Sequence, residues 1–255
     1  MPGPLADKIA LVTGASRGIG RAIAMRLARD GALVAVHYGA SGDAAGEVVD
    51  AIRAGGGRAF ALQADLARVD AIRAMFDTLD AELARQGSRG VIDILVNNAG
   101  IGLSASFDQT TEADFDRVFD TNVKGLFFVC QQALPRLADG GCVVNVSSLT
   151  ARGAGPSFPA YAASKTAVNA LTLALASHLG PRRIRVNAIM PGYTDTDFVA
   201  RLKQVPGMLD TIVKQTALGR PGLPEDMANA VALLLSPDAG WITGQVIETT
   251  GGARL

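Results

Sequence analysis

Three side chains in the middle of this sequence have types and spacing suited to proton and carbonyl chemistry: Ser148, Tyr161 and Lys165. In Tyr161-Ala162-Ala163-Ser164-Lys165 a phenol and an amine stand four residues apart, which on a helix puts them on one face, a turn from each other. A free tyrosine titrates at about 10 and exchanges protons poorly at neutral pH. A nearby ammonium favours the phenolate, so the pair predicts a tyrosine of lowered pKa able to act as general acid or base. Ser148 stands thirteen residues before Tyr161, just past an apolar run at 143–146. A hydroxyl at the carboxyl end of such a strand can hydrogen-bond a substrate carbonyl and the charge that develops on it. Taken singly, a Tyr-x-x-x-Lys arises often by chance, and a serine after a strand commonly caps a loop.

A second group of residues suits a nucleotide. Thr13-Gly14-Ala15-Ser16-Arg17-Gly18-Ile19-Gly20 follows an apolar run at 9–12 and opens a helical pattern at 21–29. Glycines there let the backbone approach a pyrophosphate, and the helix N-terminus offers N–H groups and the positive end of its dipole. The spacing is G-x-x-x-G-x-G rather than G-x-G-x-x-G, and alone it also suits a structural turn. The next apolar run, at 33–36, leads into His37-Tyr38-Gly39-Ala40-Ser41. A carboxylate at that place would bind a free ribose 2′-hydroxyl, whereas a 2′-phosphate calls for an arginine. With no acid there and Arg17 in the glycine turn, NADP(H) is expected ahead of NAD(H).

These residues need a frame, and the hydrophobic pattern supplies one. Short apolar runs at 9–12, 33–36, 59–62, 92–96, 143–146, 184–189 and 245–247 alternate with helical patterns at 21–29, 44–53, 68–85, 112–138, 159–178 and 225–235. Strands apolar on both faces belong in a parallel sheet covered on each side by helices. Right-handed crossovers then predict an α/β fold: a single doubly wound, Rossmann-type domain with a seven-stranded parallel sheet. Residues 1–6 read as a loose N-terminal tail. The helices at 112–138 and 159–178 are apolar beyond one stripe, with Leu126, Phe127, Phe128 and Val129 consecutive, which predicts burial on more than one side.

Composition narrows the function classes. The chain has 255 residues, 49% apolar and 19% charged, with 24 basic and 24 acidic side chains that cancel. Nothing in that balance points to a nucleic acid or an acidic membrane surface. No basic-then-apolar leader opens the chain, and no apolar stretch reaches the roughly 18 residues a membrane span needs. Cys130 and Cys142 have no metal-ligand spacing and read as buried thiols, so a cytoplasmic location is expected. No cluster suggests a metal. His37 and His178 are isolated, Met190 and Met208 read as packing residues, and Trp241 is expected to pack near the last strand.

Together, T-G-x-x-x-G-x-G at 13–20, Asn97-Asn98-Ala99-Gly100, Asn122, Ser148, Tyr161-x-x-x-Lys165, Pro191-Gly192, Gly244-Gln245 and Gly251-Gly252 resemble the short-chain dehydrogenase/reductase family over essentially the whole chain. The resemblance implies that Tyr161 is the general acid in carbonyl reduction and that Lys165 lowers its pKa and holds the nicotinamide ribose. Ser148 would orient the carbonyl, and Asn122 would anchor a water in a proton relay from Lys165. Gly14, Ser16, Arg17, Gly18, Ile19 and Gly20 would meet the phosphate and ribose end of the cofactor, and Asp65 with Leu66 its adenine. Asn98, Ala99 and Gly100 would line a ribose, and Pro191, Gly192, Thr194 and Thr196 would close over the carboxamide. Family members preferring NADPH often carry a further basic residue about where Gly39 stands, and this chain does not. Homotetramers built on the two apolar helices and the C-terminal strand are implied as well.

The segment 193–218, following Pro191-Gly192, is expected to form a lid carrying Phe198, Val199, Leu202, Val205, Met208 and Leu209, faced by Ile101, Leu103 and Phe158. Such a pocket suits an apolar ketone or its alcohol. The chain also resembles 3-oxoacyl-[acyl-carrier-protein] reductases, whose acidic carrier calls for a basic rim. Pro135 to Gly141 is poor in basic residues, with Asp139 where a positive charge is expected and Arg182 the one basic contact in view. A redox-inactive NADP(H)-binding regulator on the same frame is the alternative of another class; the full Asn122, Ser148, Tyr161 and Lys165 set weighs against it.

Overall fold

In the computed structural model, which describes residues 3–153, 155–199 and 204–253, seven parallel strands form one sheet in the order β3-β2-β1-β4-β5-β6-β7. In chain order the elements are β1 (Ile9–Val12), α1 (Gly18–Arg29), β2 (Leu33–Tyr38), α2 (Gly42–Ala54), β3 (Arg58–Gln63), α3 (Val69–Arg85) and β4 (Ile92–Asn97). There follow α4 (Glu112–Phe119), a π-helical segment Asp120–Gly125, α5 (Leu126–Ala133), β5 (Leu137–Val146), α6 (Pro159–Leu179), β6 (Arg185–Pro191), α7 (Met208–Lys214), α8 (Pro224–Leu235) and β7 (Val246–Thr249). The expected doubly wound α/β fold is the observed one.

Its logic is legible in burial. β1 and β4 are buried at every position, as strands covered on both faces must be. One apolar cluster joins Leu11, Leu95 and Val143 to Phe76 and Leu79 of α3, Val129 of α5 and Val168 of α6. The other joins Val12, Val34 and Val96 to Ile23 and Leu27 of α1, Val48 of α2 and Val231 of α8. The chain winds outward from β1 to β3 and then returns to pair β4 with the other side of β1, Val12 opposite both Val36 and Val96. At such a switch point the loops leaving two neighbouring strands diverge and open a crevice at their carboxyl ends.

The structure departs from the sequence reading at several places, three of which bear on the site and its frame. The helix expected over 112–138 ends at Ala133, and β5 begins at Leu137. The same helix passes through a π turn at Asp120–Gly125, a register change that a hydrophobic period does not announce. Thr111 caps α4 by accepting from the Asp114 N–H at 3.1 Å. The expected loose tail is docked from Gly3 onward: Leu5 donates to Asp30 O at 2.8 Å and its side chain joins the core. No helix among the described residues is long and apolar enough to cross a membrane.

Candidate active site

The glycine turn leaves β1 at the carboxyl edge of the sheet and meets the loop after β4. Gly14 and Gly18 have φ of +63° and +55°, conformations that side-chain-bearing residues rarely adopt. A Cβ on Gly14 would lie 2.8 Å from the Cα of Ala99, and one on Gly20 would overlap the carbonyl oxygen of Gly14. The unusual spacing thus has a packing cause, because the first and last glycines close on each other and on the loop after β4. Thr13 and Asn98 lock that closure. The Thr13 hydroxyl accepts from the N–H groups of Asn98 and Ala99, each at 3.0 Å, and the Asn98 amide donates to the carbonyls of Thr13 and Gly14, each at 3.0 Å.

α1 starts at Gly18 from an extended Arg17, with no side-chain cap and no acid in its first turn. Its leading N–H groups are left for an anion, which fits a pyrophosphate. Arg17 is exposed and forms no ion pair among the described residues. Asp65 is exposed after β3, its carboxylate accepting from Ala67 N at 3.0 Å, and Leu66 is buried against Gly125. On the far side Pro191 ends β6, and Gly192 packs where a Cβ would meet Thr250 Cα at 3.1 Å. The Thr194 hydroxyl donates to Gly192 O at 3.2 Å, and the Thr196 methyl lies 3.4 Å from the place of a Gly18 Cβ. One wall of the crevice therefore meets the glycine turn of the other. Ser16 and Ile19 are half-buried along that turn.

Tyr161 and Lys165 lie one turn apart on α6, which starts with Pro159 in its first turn. Lys165 is buried, its ammonium 5.9 Å from the Tyr161 ring centre and donating to Val146 O at 2.9 Å. Burial pushes Lys165 down to about 8. Tyr161 runs against the sequence expectation: burial pushes its phenol up to about 12, and the hydrogen bond with Ser148 only partly opposes this. The ammonium is held by Val146 rather than the phenol, so desolvation outweighs it in the ligand-free protein. Ser148 sits just past β5 in extended backbone, and its oxygen accepts from the Thr150 N–H at 3.3 Å.

The π turn delivers Asn122. Its amide donates to Ile101 O at 2.9 Å and Ser164 Oγ at 3.0 Å, and its oxygen accepts from Ile101 N at 2.8 Å. A Cβ on Gly100 would lie 3.2 Å from both Asn122 Oδ1 and Lys165 Nζ, so these three residues converge. Below them runs a buried polar line: Asn97 donates to Asn145 at 2.9 Å, and Asn145 donates to Thr172 at 2.9 Å.

Of the lid, Phe198 reaches back over the site. Its ring centre is 6.0 Å from that of Tyr161, and its tip occupies space that a Cβ on Gly102 would enter at 2.8 Å. Val205 and Leu209 are exposed, and Leu202 lies outside the described residues. Two expectations fail on position. Asp139 and Arg182 pair with each other at 2.8 Å near the start of β5, the amino end of the sheet, whereas the site opens at the carboxyl ends. Within the single chain the pair therefore lies away from the carboxyl edge of the sheet. Trp241 is fully exposed rather than packed on the last strand. Thr13, Gly102 and His37 were missed. Thr13 stood inside the glycine motif and His37 at the end of the second apolar run, where only the absence of an acid was read, while nothing local in the sequence marks Gly102 as a neighbour of the site.

Against known proteins, a family model described as enoyl-(acyl carrier protein) reductase matches residues 14–254. A hydroxynaphthalene reductase-like protein of Metarhizium brunneum is 42% identical over 266 residues, covering 99% of this chain and 97% of that one. A 3-oxoacyl-[acyl-carrier-protein] reductase of Staphylococcus epidermidis is 40% identical over 251 residues, covering 98% of this chain and all (100%) of that one. The crystal structure of an angucycline C-6 ketoreductase, LanV, with bound NADP superposes with a TM-score of 0.93 at 44% identity, covering 99% of this chain and 97% of that one.

Proposed function

Since this chain belongs to the short-chain dehydrogenase/reductase family of oxidoreductases, we propose that it interconverts an apolar ketone and its secondary alcohol with NADP(H), Tyr161 exchanging the proton. The observation that carries the reading is the convergence of Tyr161, Ser148, Lys165 and Asn122 beside an anion-ready glycine turn at the carboxyl edge of the sheet. NADPH, when bound, supplies the hydride. The turn from Gly14 to Gly20 would hold its pyrophosphate, Arg17 its 2′-phosphate, and Asp65 and Leu66 would flank the adenine. The Asn98 amide is engaged with the glycine turn, so the loop Asn98–Gly100 would meet a ribose through its backbone. Pro191, Gly192, Thr194 and Thr196 would close over the carboxamide.

In reduction, the Ser148 hydroxyl donates to the substrate carbonyl, and Tyr161, a neutral phenol in this setting, gives its proton to that oxygen as the carbon accepts hydride. Lys165 then stabilises the phenolate and returns a proton to it, a task suited to an amine that titrates at about 8. Asn122 holds the relay in place. A neutral phenol is the acid form that reduction needs. The cofactor's 2′-phosphate reading is supported by the missing carboxylate after β2 and by NADP in a relative of 44% identity. The substrate reading is supported by the apolar lid and by relatives named for hydroxynaphthalene and angucycline reduction. The carrier-protein reading is supported by the Staphylococcus relative and the family model's description, and the pairing of Arg182 with Asp139 away from the carboxyl edge of the sheet weighs against it.

We take the enzyme to work in the cytoplasm as a homotetramer. The test is NADPH consumption with a panel of cyclic and aromatic ketones beside a 3-oxoacyl carrier-protein substrate. Tyr161→Phe is expected to lose at least roughly a hundredfold in kcat while still binding NADPH. Near-normal turnover removes Tyr161 from the mechanism, and a carrier substrate favoured by orders of magnitude in kcat/KM overturns the substrate reading.

A further inference from the structure

His37 is the fifth residue of β2, is 2% exposed, and uses both nitrogens of its ring. Nδ1 accepts from the Gly14 N–H at 3.0 Å, so that nitrogen carries no proton. The proton of the neutral ring is then on Nε2, which donates to Ala64 O at 3.1 Å. The backbone adds a third link, the His37 carbonyl accepting from Ala15 N at 2.8 Å. One side chain therefore ties the first glycine of the β1–α1 turn to the last residue before Asp65 and Leu66. Gly14 is fixed from other sides by Asn98, which takes its carbonyl, and by Ala99, which packs where a Cβ would stand. On the β2 side the link is the His37 side chain, which can be exchanged without altering a residue of the turn.

We propose that His37 is a positioning residue for the adenosine–phosphate end of NADP(H), setting the separation of the loop that cradles the pyrophosphate from the loop that flanks the adenine. This rests on the cofactor reading above. His37 stands outside the glycine motif and far in sequence from Tyr161, and the sequence alone gives its side chain no role. Its neutral form is the one that fits. Burial pushes the imidazole down to about 4, and a proton on Nδ1 would set two N–H groups against each other at Gly14.

Three substitutions separate the two links. In His37→Asn the amide oxygen overlays Nδ1 and keeps the acceptor for Gly14. In His37→Gln the amide nitrogen overlays Nε2 and keeps the donor to Ala64. His37→Leu keeps neither. Titrations with NADPH, read by nicotinamide fluorescence, and with 2′,5′-ADP, read calorimetrically, are the measurement. His37→Leu is expected to weaken both by about tenfold or more, the cost of one buried donor left unpaired, with Asn and Gln in between. At saturating NADPH, kcat and the ketone KM stay within about twofold, since a tenfold binding loss confined to the cofactor leaves the chemical step alone. Wild-type affinity for both ligands in His37→Leu, or in both Asn and Gln if Leu does not fold, overturns the proposal. Equal losses in kcat and ketone KM would mean a general structural role and overturn it too. A wild-type protein that binds neither ligand sinks the cofactor reading itself, which is a separate result.

Discussion

Two buried bases of the site titrate below their ordinary values, and stability rises with pH in a different window for each. His37 is neutral in the fold down to about 4, whereas the unfolded chain takes up its proton near 6.5. Its folded value is depressed, so its contribution is whole above about 6.5 and is lost as pH falls toward 4, a loss on the order of 3 kcal/mol. Chemical denaturation of the ligand-free protein between pH 7 and 4 checks this; His37→Asn is expected to flatten the slope. Lys165 is also depressed, from 10.5 to about 8, so below pH 8 the fold carries a buried charge it would rather not have. Stability therefore rises as pH climbs from about 8 to 10.5, and Lys165→Met is expected to raise Tm at pH 7 while abolishing turnover. A Tm that falls instead would mean that the Val146 hydrogen bond outweighs the buried charge. The closeness of Tyr161, Lys165 and Ser148 was legible from type and spacing, but the direction of the tyrosine shift was not. Sequence spacing gives proximity, and it gives neither burial nor the carbonyl that claims the ammonium.

At the scale of elements, strands and helices could be read because both faces of the sheet are covered and the apolar runs are short and continuous. What escaped reading was the interruption of a pattern. The π turn at Asp120–Gly125 joins two helices without a break while it buries Asn122 and turns it back to Ile101, so the period alone suggests one unbroken helix. The end at Ala133 was hidden because Leu137 and Ala138 are apolar in either state. The Gly102–Phe198 contact joins the loop after β4 to the lid after β6, elements that only the fold brings together. Gly102→Ala is expected to displace Phe198 from Tyr161 and to shift kcat/KM between a small ketone and a fused-ring ketone by about tenfold, with NADPH affinity unchanged. Phe198→Ala should largely remove the effect of the alanine at 102 in a double-mutant cycle. Strictly additive effects would show that the two positions act apart.

Several large apolar side chains stand exposed among the described residues. Trp241 is fully exposed and Leu233 is 66% exposed, while Phe115, Phe127 and Leu173 protrude from α4, α5 and α6. Such surface marks interaction sites. We expect a homotetramer by light scattering at micromolar protein, reduced to a smaller species by Trp241→Ser with Leu233→Asp; a wild-type monomer contradicts the assembly. The sequence pointed at the helices but misplaced Trp241, because a lone tryptophan near a strand reads as core unless a partner is considered. Above all of this stands one claim, that the crevice passes hydride to a ketone while Tyr161 supplies the proton. The most direct measurement is one turnover of a cyclic ketone with NADPH deuterated at its transferable position, followed by mass spectrometry of the product. The account expects an alcohol with a single deuterium on the carbinol carbon from the wild type and almost none from Tyr161→Phe. NADPH bound but unconsumed, or an alcohol free of deuterium, would contradict it.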